Sequence, residues 1–323
     1  MKKLIAIVAG EPNSISSEII FKSWKSKRKY KHKPFFVIGN FKLLNLQRLK
    51  LKYKIKINKI EKYYDLNKLS NKKLNIYDVK YNQNIPFKNI SGKSNEYIFK
   101  CFDIATKLAI KKKIVGFINC PVSKEFLFKK KYQGITEYLS RKAKIRDDGT
   151  MLIFNNKLSV SPLTKHISID QITNKLNKID MLNKITAINK FYKKYFLIKP
   201  HFALLGLNPH NYCSSKESKL NKKIDNVIKI LRRKKINIKG PISPDTSFST
   251  SKRKQFDVII GMYHDQVLTP FKALYNFKAI NITLGLPYIR ISPDHGVGED
   301  IVGKNVANAD SLIESIKFFN FIK

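Results

Sequence analysis

The stretch of sequence that decides the fold is LIAIVAGEP, residues 4–12. Its first six residues are all apolar, too few for a membrane span, and they predict a strand that is buried on both faces. Gly10-Glu11-Pro12 then forms an acidic turn where a secretory signal would carry a small-residue cleavage site. The stretch therefore favours the first strand of a parallel sheet over an export signal.

Similar apolar runs recur along the chain and alternate with segments whose apolar residues have helical spacing. The further predicted strands are 35–38, 74–79, 114–118, 202–205, 258–261 and 279–282. The predicted helices are 16–27, 95–112, 169–190, 217–232 and 309–319. Two short runs around 151–160 flank Asn155-Asn156 and predict a hairpin. Strands that alternate with helices indicate an α/β fold with a mostly parallel sheet, covered on both faces.

The charge of the chain is strongly positive. Among 323 residues, 64 are Lys or Arg and 23 are Asp or Glu, so the formal net charge is +41. Only eight of the basic residues are arginine, and the lysines are scattered through almost every polar segment. Interfaces that read nucleic acid favour the arginine fork, so the charge indicates a compositional bias. Neither a nucleic-acid partner nor a membrane partner is expected.

Length and cysteine content set two further bounds. A chain of this length predicts two lobes or one large domain, and 43% hydrophobic residues suffice for a core and exclude a disordered chain. The three cysteines, Cys101, Cys120 and Cys213, show neither paired nor CxxC spacing. This pattern favours thiols in a reducing cytoplasm over a disulfide framework or a zinc ribbon.

Histidine placement is the first indication of chemistry. Three of only six histidines, His166, His210 and His264, stand in polar contexts just after predicted strands, in LTKHISID, GLNPHN and GMYHDQ. Loops after strands hold the functional sites of α/β folds. Three neutral imidazoles brought together would bind a divalent metal with open positions for a substrate. Because no HExxH-type local geometry is present, three separate histidines remain the alternative interpretation.

Two motifs follow toward the end of the chain. FKALYNFKAINITLGLPYIR, residues 271–290, contains Lys272, Asn281 and Arg290, and a lysine point charge with an arginine fork suits a phosphate or a carboxylate. A solvated lysine and a surface arginine are the alternative. DHGVGEDIVGKN, residues 294–305, is glycine-rich but is not GxGxxG, and no such fingerprint follows the first strand. A standard Rossmann dinucleotide domain is therefore not expected.

Taken together, INCPVSK, GLNPH, MYHDQ with Lys272, and NITLGLPYIRISPDHG resemble the 4-hydroxythreonine-4-phosphate dehydrogenase family of pyridoxal phosphate synthesis, over essentially the whole chain. The resemblance implies the isocitrate/isopropylmalate dehydrogenase-like fold, with two α/β lobes and a cleft between them. The first lobe is expected to comprise 1–130 and 300–323. The second, 131–299, is expected to carry the metal, substrate and dimer contacts.

The resemblance also implies a reaction. The family oxidises 4-phosphooxy-L-threonine with NAD or NADP in a metal-dependent step, giving 2-amino-3-oxo-4-phosphooxybutanoate. This product loses carbon dioxide to give 3-amino-2-oxopropyl phosphate. A divalent ion (Zn, Mg or Co) would bind His166 and His210 of one subunit and His264 of its partner, so an obligate homodimer with shared metal sites is implied.

Other roles carry over residue by residue. The substrate residues of the family fall on Thr136, Lys272, Asn281 and Arg290. The cofactor loop falls on Asp294, His295, Gly296, Gly298 and Asn305. Lys272 also carries a catalytic role, and the neighbouring Asp245 and Asp265 are predicted to orient ligand histidines or to shuttle protons.

The chain departs from the family pattern at three places. Ile135 stands where the family has a substrate-contacting histidine, and isoleucine cannot form a hydrogen bond. GDPAGIGPE has become GEPNSISSE at 10–18, and ITGPV has become INCPV at 118–122. These departures keep two alternatives open, a dehydrogenase of threonate or erythronate 4-phosphate and a non-catalytic descendant of the fold. The net charge keeps a third, a nucleic-acid binder.

Overall fold

The computed structural model describes residues 4–61, 66, 69–128, 132, 134–143, 149–165, 167–208 and 215–322, and only the backbone of 215–218. The chain divides into two compact units: unit 1 is Met1–Gly149 with Leu286–Ile322, and unit 2 is Thr150–Gly285. Both units contain strands and helices, which confirms the predicted α/β fold class.

The described residues of unit 1 form six parallel strands. They are β1 (Ile5–Val8), β2 (Phe35–Gly39), β3 (Ile57–Ile60), β4 (Leu74–Asp78), β5 (Gly116–Asn119) and β12 (Ile289–Pro293). Their order is β3-β4-β2-β1-β5-β12, so the LIAIVA strand lies between two neighbours. Every residue of β1 is buried, as expected for a parallel strand that is covered on both faces.

Six helices accompany this sheet. They are α1 (Ser16–Ser26), α2 (Phe41–Lys50), α3 (Asn95–Ile110), α4 (Lys124–Phe128), α5 (Ile135–Lys142) and α12 (Asp310–Phe321). Helix α3 packs on β1, β2 and β5, whereas α12 packs on β12 and on α1. Apolar residues of α3, α4 and α5 join those of the strands in one core cluster. This cluster fixes the position of α5, which carries Thr136.

Unit 2 contains a sheet of mixed direction. Its strands are β6 (Thr150–Asn155), β7 (Leu158–Pro162), β8 (Phe202–Leu205), β9 (Ile238–Ile242), β10 (Val258–Gly261) and β11 (Ile280–Leu284), in the order β11-β6-β7-β10-β8-β9. The β6–β7 hairpin is confirmed, and Asn155 pairs with Leu158 across the turn. Strands β7, β10, β8 and β9 are parallel, so their carboxyl ends meet at one edge.

The helices of unit 2 are α6 (Ile172–Lys175), α7 (Lys178–Tyr195), α8 (Ser215–Arg233), α9 (Pro244–Ser247), α10 (Thr250–Arg253) and α11 (His264–Tyr275). The predicted helix over 169–190 is wrong in one respect, because it is interrupted. The backbone of Leu176 is extended, and the side chain of Asn177 caps α7 by accepting from Asp180 N at 2.8 Å. An asparagine that caps a new helix ends the periodic pattern before it.

Helix α11 was not predicted, because the sequence pattern placed His264 in a loop. Pro270 lies inside this helix, and an internal proline is a strong signal against helix in a sequence. Strand β12 was also missed, since its IRISP segment mixes polar and apolar residues. The structure thus places His264 on the first residue of a helix and Arg290 within a buried strand.

The lobe limits expected from the sequence differ from the two units. Helix α5 belongs to the core cluster of unit 1, and β12 pairs with β5 in the same unit. The assignment of metal, substrate and dimer contacts to residues 131–299 stays a prediction. Across the part of the chain that the structure describes, none of the helices has the length and apolar character needed to cross a membrane.

Candidate active site

The best-defined part of the candidate site lies in unit 1, where β5, β12 and α5 meet. Arg290 on β12 pairs in register with Phe117 on β5, and Asn119 follows two residues later on the same face of the strand. The Nε of Arg290 donates to Oδ1 of Asn119 at 2.6 Å. Its Nη1 donates to Oγ1 of Thr136, at the start of α5, at 3.4 Å. Two of the four predicted substrate residues are therefore in contact.

Arg290 is a buried cation, with only 3% of its surface exposed. Burial lowers the pKa of its guanidinium to about 10, and the neighbouring Tyr288 phenol acts in the opposite direction. The group is still protonated at neutral pH. A buried, protonated guanidinium whose orientation is set by hydrogen bonds is suited to binding a phosphate or carboxylate. The alternative of a surface arginine is excluded.

Ile135 precedes Thr136, and its side chain turns into the core cluster of unit 1. It is 8% exposed and lies among residues such as Leu139 and Phe117. The residue that replaces the family histidine therefore packs as an apolar core residue. Its packing helps to hold α5 against β5 and β12, so it contributes to the position of Thr136.

In unit 2, the three histidine motifs begin at the ends of adjacent parallel strands. Leu163 N, after β7, donates to Gly261 O of β10 at 2.8 Å, and Thr164 N donates to Met262 O at 3.1 Å. Gln266 of α11 donates to the carbonyls of Gly206 and Leu207, after β8, at 2.9 and 3.2 Å. The LTKH, GLNPH and MYHDQ motifs therefore leave the same edge of the sheet.

His264 and Asp265 form a close pair at the start of α11. Nδ1 of His264 lies 2.6 Å from Oδ1 of Asp265, and the two side chains are 34% and 78% exposed. A carboxylate at Nδ1 selects Nε2 as the nitrogen that would bind a metal ion, which is the orienting role predicted for Asp265. His166 and His210 lie outside the described residues. No cluster of three metal-ligating side chains occurs within the described ranges.

Three other predicted residues of unit 2 lie on separate elements. Lys272 is exposed on α11. Asn281 lies on β11, and its buried Oδ1 has no hydrogen-bond partner among the described residues. Asp245 is exposed and accepts from Ser243 Oγ at 2.6 Å, within the loop that begins α9. A buried oxygen that lacks a partner in the described part of the chain is suited to accept a hydrogen bond from a polar ligand, so Asn281 is a candidate ligand contact.

The predicted cofactor loop, 294–305, belongs to unit 1. The backbone N–H of Asp294 donates to Ser311 Oγ at 2.9 Å, and His295 Nδ1 lies 3.1 Å from Gly296 O. A Cβ at Gly296 would meet nothing within 4 Å. Gly298 has a φ of +60°, and a Cβ there would lie 3.0 Å from the Ile15 side chain. The positive φ at position 298 thus favours glycine there, whereas the absence of a side chain at Gly296 leaves space for a ligand.

The far end of this loop is anchored by α1. Lys22 Nζ donates to the carbonyls of Asn305 and Ala307 at 3.0 and 2.7 Å, and it pairs with Glu18 at 2.8 Å. Asn305 Oδ1 accepts from the Tyr53 hydroxyl at 2.6 Å. The side chain of Asn305 therefore has a structural contact in addition to its predicted cofactor role.

Sequence reasoning missed Glu11, in the turn after β1. Its carboxyl is buried and accepts from Asn13 N at 3.2 Å and from Ser94 Oγ at 3.1 Å. Burial raises the pKa of Glu11 to about 7, with a smaller contribution from Glu299, while the two hydrogen bonds act against the rise. Ser94, which directly precedes α3, therefore turns its hydroxyl to Glu11. The acidic residue in the GEP turn was the available signal.

The turn itself is held by a close backbone approach. Gly10 has a φ of +72°, and a Cβ there would lie 2.4 Å from Pro121 O and 2.8 Å from Cys120 O. Glu11 N donates to Pro121 O at 2.9 Å. Gly10 therefore lets the turn after β1 lie directly against the segment that follows Asn119.

Comparison with known proteins agrees with this arrangement. The family model described as pyridoxal phosphate biosynthetic protein PdxA matches residues 31–319. A 4-hydroxythreonine-4-phosphate dehydrogenase of Sulfurihydrogenibium sp. strain YO3AOP1 is 34% identical over 326 residues, 99% of this chain and 98% of its own length. A D-threonate 4-phosphate dehydrogenase of Salmonella typhimurium is 29% identical over 326 residues, 98% and 97% of the two chains.

A solved structure extends the likeness to the fold. The 4-hydroxythreonine-4-phosphate dehydrogenase of Klebsiella pneumoniae aligns with a TM-score of 0.84 and 28% identity over 99% of this chain and all of its own. The family match covers most of the sequence, and the relatives match it at nearly full length. The chain belongs to the PdxA family of pyridoxal phosphate biosynthetic proteins.

Proposed function

We propose that the chain is an NAD(P)-dependent dehydrogenase that oxidises 4-phosphooxy-L-threonine to 2-amino-3-oxo-4-phosphooxybutanoate. The product loses carbon dioxide to give 3-amino-2-oxopropyl phosphate, a step toward pyridoxal phosphate. The observation that carries this proposal is the nearly full-length similarity to dehydrogenases of this name, at 34% identity in two of them. Retention of Arg290, buried and oriented, supports a phosphorylated substrate.

Each predicted residue would have a physical task. Arg290 would bind an anionic group of the substrate through its fork, and Thr136 would present its hydroxyl beside it. Lys272 would neutralise negative charge and contribute to the orientation of the reacting carbon. Asn281, whose buried Oδ1 lacks a partner in the described part of the chain, would accept a hydrogen bond from the substrate.

The residues present fit a divalent metal ion and a dinucleotide. His264, oriented by Asp265, would contribute Nε2, and His166 and His210 would complete the ligand set. A divalent ion there supplies acidity at the substrate hydroxyl and polarisation of the ketone. The open position beside Gly296 would allow the backbone of 294–305 to approach a cofactor that accepts hydride.

We also propose a homodimer in the cytoplasm, with His264 completing the metal site of the partner subunit. Mixing His166→Ala with His264→Ala protein tests this arrangement. Mixed dimers of a shared site contain one intact site, so part of the activity should return. No return of activity in confirmed mixed dimers would instead place all three histidines in one subunit.

The second candidate is oxidation of D-threonate 4-phosphate. The Salmonella typhimurium relative of that name covers nearly the whole chain, and Ile135 replaces a polar substrate contact of the 4-phosphooxy-L-threonine enzymes with a buried apolar residue. One lost polar contact is enough to change the preference between related substrates.

One assay separates them. The purified chain is supplied with NAD or NADP and a divalent ion, and reduction of the cofactor is measured with 4-phosphooxy-L-threonine and D-threonate 4-phosphate side by side. The proposal expects the higher kcat/KM for 4-phosphooxy-L-threonine, release of carbon dioxide, and loss of activity with a chelator. A higher kcat/KM for D-threonate 4-phosphate would establish the second candidate. No reduction with either substrate would identify a non-catalytic descendant.

A further inference from the structure

Asn119 is the last residue of β5, and it is not among the predicted site residues. Asn119 is 2% exposed and lies at the carboxyl end of its strand, on the face that carries Arg290. It replaces the threonine of the family's ITGPV segment. A buried asparagine in this position needs a physical reason, because burying an amide is costly unless both of its ends are hydrogen-bonded.

Both ends of the Asn119 amide have partners. Its Oδ1 accepts from Arg290 Nε at 2.6 Å, and its Nδ2 donates to the Cys120 carbonyl at 3.2 Å. Arg290 Nε can only donate and the carbonyl can only accept, so the amide has a single possible orientation. The Cys120 carbonyl is itself packed against Gly10, where a Cβ would lie only 2.8 Å from it. The amide is thus held by the backbone.

This arrangement sets the plane of the guanidinium. Nε is bound by Asn119, and Nη1 is directed to Thr136 Oγ1 at 3.4 Å. The guanidinium fork is planar and rigid, so fixing Nε fixes the directions of the terminal nitrogens as well. Two contacts from two different elements, β5 and α5, therefore contribute to the direction in which the fork faces.

The chemistry of the acceptor also matters. Asparagine gives Nε a neutral acceptor, so this contact does not itself offset the positive charge of the guanidinium. An aspartate would accept the same bond but would offset part of that charge. It would also place a second oxygen against the Cys120 carbonyl, where Nδ2 now donates.

We propose that Asn119 is a positioning residue, which orients Arg290 toward the phosphate of the substrate through a neutral contact that does not offset its charge. The inference rests on the proposed function in taking the substrate to be phosphorylated. It assigns to this chain a determinant of phosphate affinity at a position where the sequence departs from its family.

The test uses the whole chain and measures two quantities. One is the affinity for inorganic phosphate by titration calorimetry without substrate, and the other is KM and kcat with the phosphorylated substrate. Asn119→Leu removes the acceptor at nearly constant shape, and a lost bond to a charged group corresponds to an affinity about ten-fold lower. KM for the substrate should rise by a similar factor, while kcat and the cofactor KM change less.

Asn119→Asp separates orientation from charge and keeps the test decisive should the leucine variant fail to fold. Its carboxylate retains the acceptor for Nε and pairs with the buried guanidinium, which opposes the repulsion by the Cys120 carbonyl, so the variant should stay folded while phosphate affinity falls. Asn75→Leu is the matched control, since Asn75 is a buried strand asparagine of unit 1 with its own hydrogen bonds on β4. It should lower stability and leave phosphate affinity unchanged.

Phosphate affinity within two-fold of wild type in both Asn119 variants would overturn the inference, as would the absence of saturable phosphate binding by the wild-type chain. L-threonine serves as the carboxylate probe. Weakened binding of L-threonine with unchanged phosphate binding would show that Arg290 serves a carboxylate, and would also overturn it. If the wild type binds phosphate through Asn119 but oxidises neither candidate substrate, the proposed function fails and the inference stands.

Discussion

Arg290 and Lys272 are the two cations that the motifs of this chain assign to the substrate, and they have opposite surroundings. Arg290 is buried on a strand of unit 1 with its guanidinium held by Asn119 and Thr136, whereas Lys272 is exposed on α11 of unit 2. Folding itself sets the orientation of a buried cation. The orientation of an exposed cation can still change when a ligand binds. Variants in the first region should therefore change stability and affinity together, and variants in the second should change activity alone.

The largest effect is expected at His264, in the exposed region. His264→Ala removes a predicted metal ligand, and loss of the metal ion's contribution of several kcal/mol should lower kcat/KM about a thousand-fold. Bound metal, measured by elemental analysis, should fall in parallel, while the melting temperature is retained because the side chain is one-third exposed. Asp265→Asn should give a smaller loss, about ten-fold.

His32→Ala is the control for that variant. His32 packs beside Tyr30 and Phe35 in unit 1 and belongs to none of the motifs. It should keep its metal content and its kcat/KM. Full metal-dependent turnover of the His264→Ala variant would show that His264 is not a metal ligand.

Arg290→Ala and Lys272→Ala compare the two cations directly. Removing Arg290 empties a buried position and leaves the Asn119 amide without its donor partner, so we expect a loss of about 3 kcal/mol in the free energy of unfolding. Removing the exposed Lys272 should change that free energy by less than about 0.5 kcal/mol and should still lower kcat. Urea unfolding and steady-state kinetics measure the two effects. Equal stability of the two variants would contradict the contrast drawn between the regions.

Glu11 is a second buried ionisable residue of unit 1, and its burial predicts that the free energy of unfolding depends on pH. Its pKa is raised by burial from 4.5 to about 7, so the folded protein keeps a proton that the unfolded chain releases. Stability that is present below pH 4.5 is therefore lost as the pH rises to about 7, by about 3 kcal/mol for this interval. Glu11→Gln should be more stable than wild type at pH 8 and equal to it near pH 4.

Glu96→Gln is the matched control in the same unit. Glu96 is exposed and pairs with Lys100, which lowers the pKa of its carboxyl, so any pH dependence should have the opposite sign. Urea unfolding at pH 4, 6 and 8 compares the two variants with wild type. A Glu11→Gln variant with no gain at pH 8 would mean that this carboxyl is ionised in the folded chain at neutral pH.

The glycines of the 294–305 loop distinguish a structural turn from a ligand contact. Gly298→Val places a Cβ against Ile15 at a positive φ, and should cost about 2 kcal/mol of stability. Gly296→Val meets no neighbouring atom, so it should keep the melting temperature and raise the KM for NAD or NADP. An unchanged cofactor KM in Gly296→Val would place the dinucleotide elsewhere.

Ile135→His is expected to give the smallest effect. From the sequence alone, restoring the family histidine should raise kcat/KM for 4-phosphooxy-L-threonine about ten- to a hundred-fold. The structure buries Ile135 in the core cluster, so an imidazole there should instead cost about 1–2 kcal/mol of stability. Thermal unfolding and kinetics of the revertant decide between these outcomes. A clear gain in kcat/KM without a loss of stability would show that the pocket accepts the histidine.

Local patterns determined much of this fold, because strand and helix periodicity depends only on neighbouring residues. The strands β1, β2, β4, β5, β8, β10 and β11, the β6–β7 hairpin and the α/β class could be predicted in this way, whereas β3, β9 and β12 were missed. The motifs also indicated the family and the candidate residues. They failed at α11, where Pro270 opposes a helix that tertiary packing stabilises, and at α6–α7, where Asn177 begins a new helix.

Burial and partners, in contrast, were decided only by the tertiary structure. The local sequence does not distinguish the buried guanidinium of Arg290 from that of a surface arginine. Its partners, Asn119 and Thr136, lie 171 and 154 residues away in sequence. The raised pKa of Glu11 likewise arises from burial, and the hydrogen bond that opposes the rise comes from Ser94, which is remote in the chain. Sequence determines local conformation and residue chemistry, whereas the electrostatics of a site depend on contacts that exist only after distant segments have packed together.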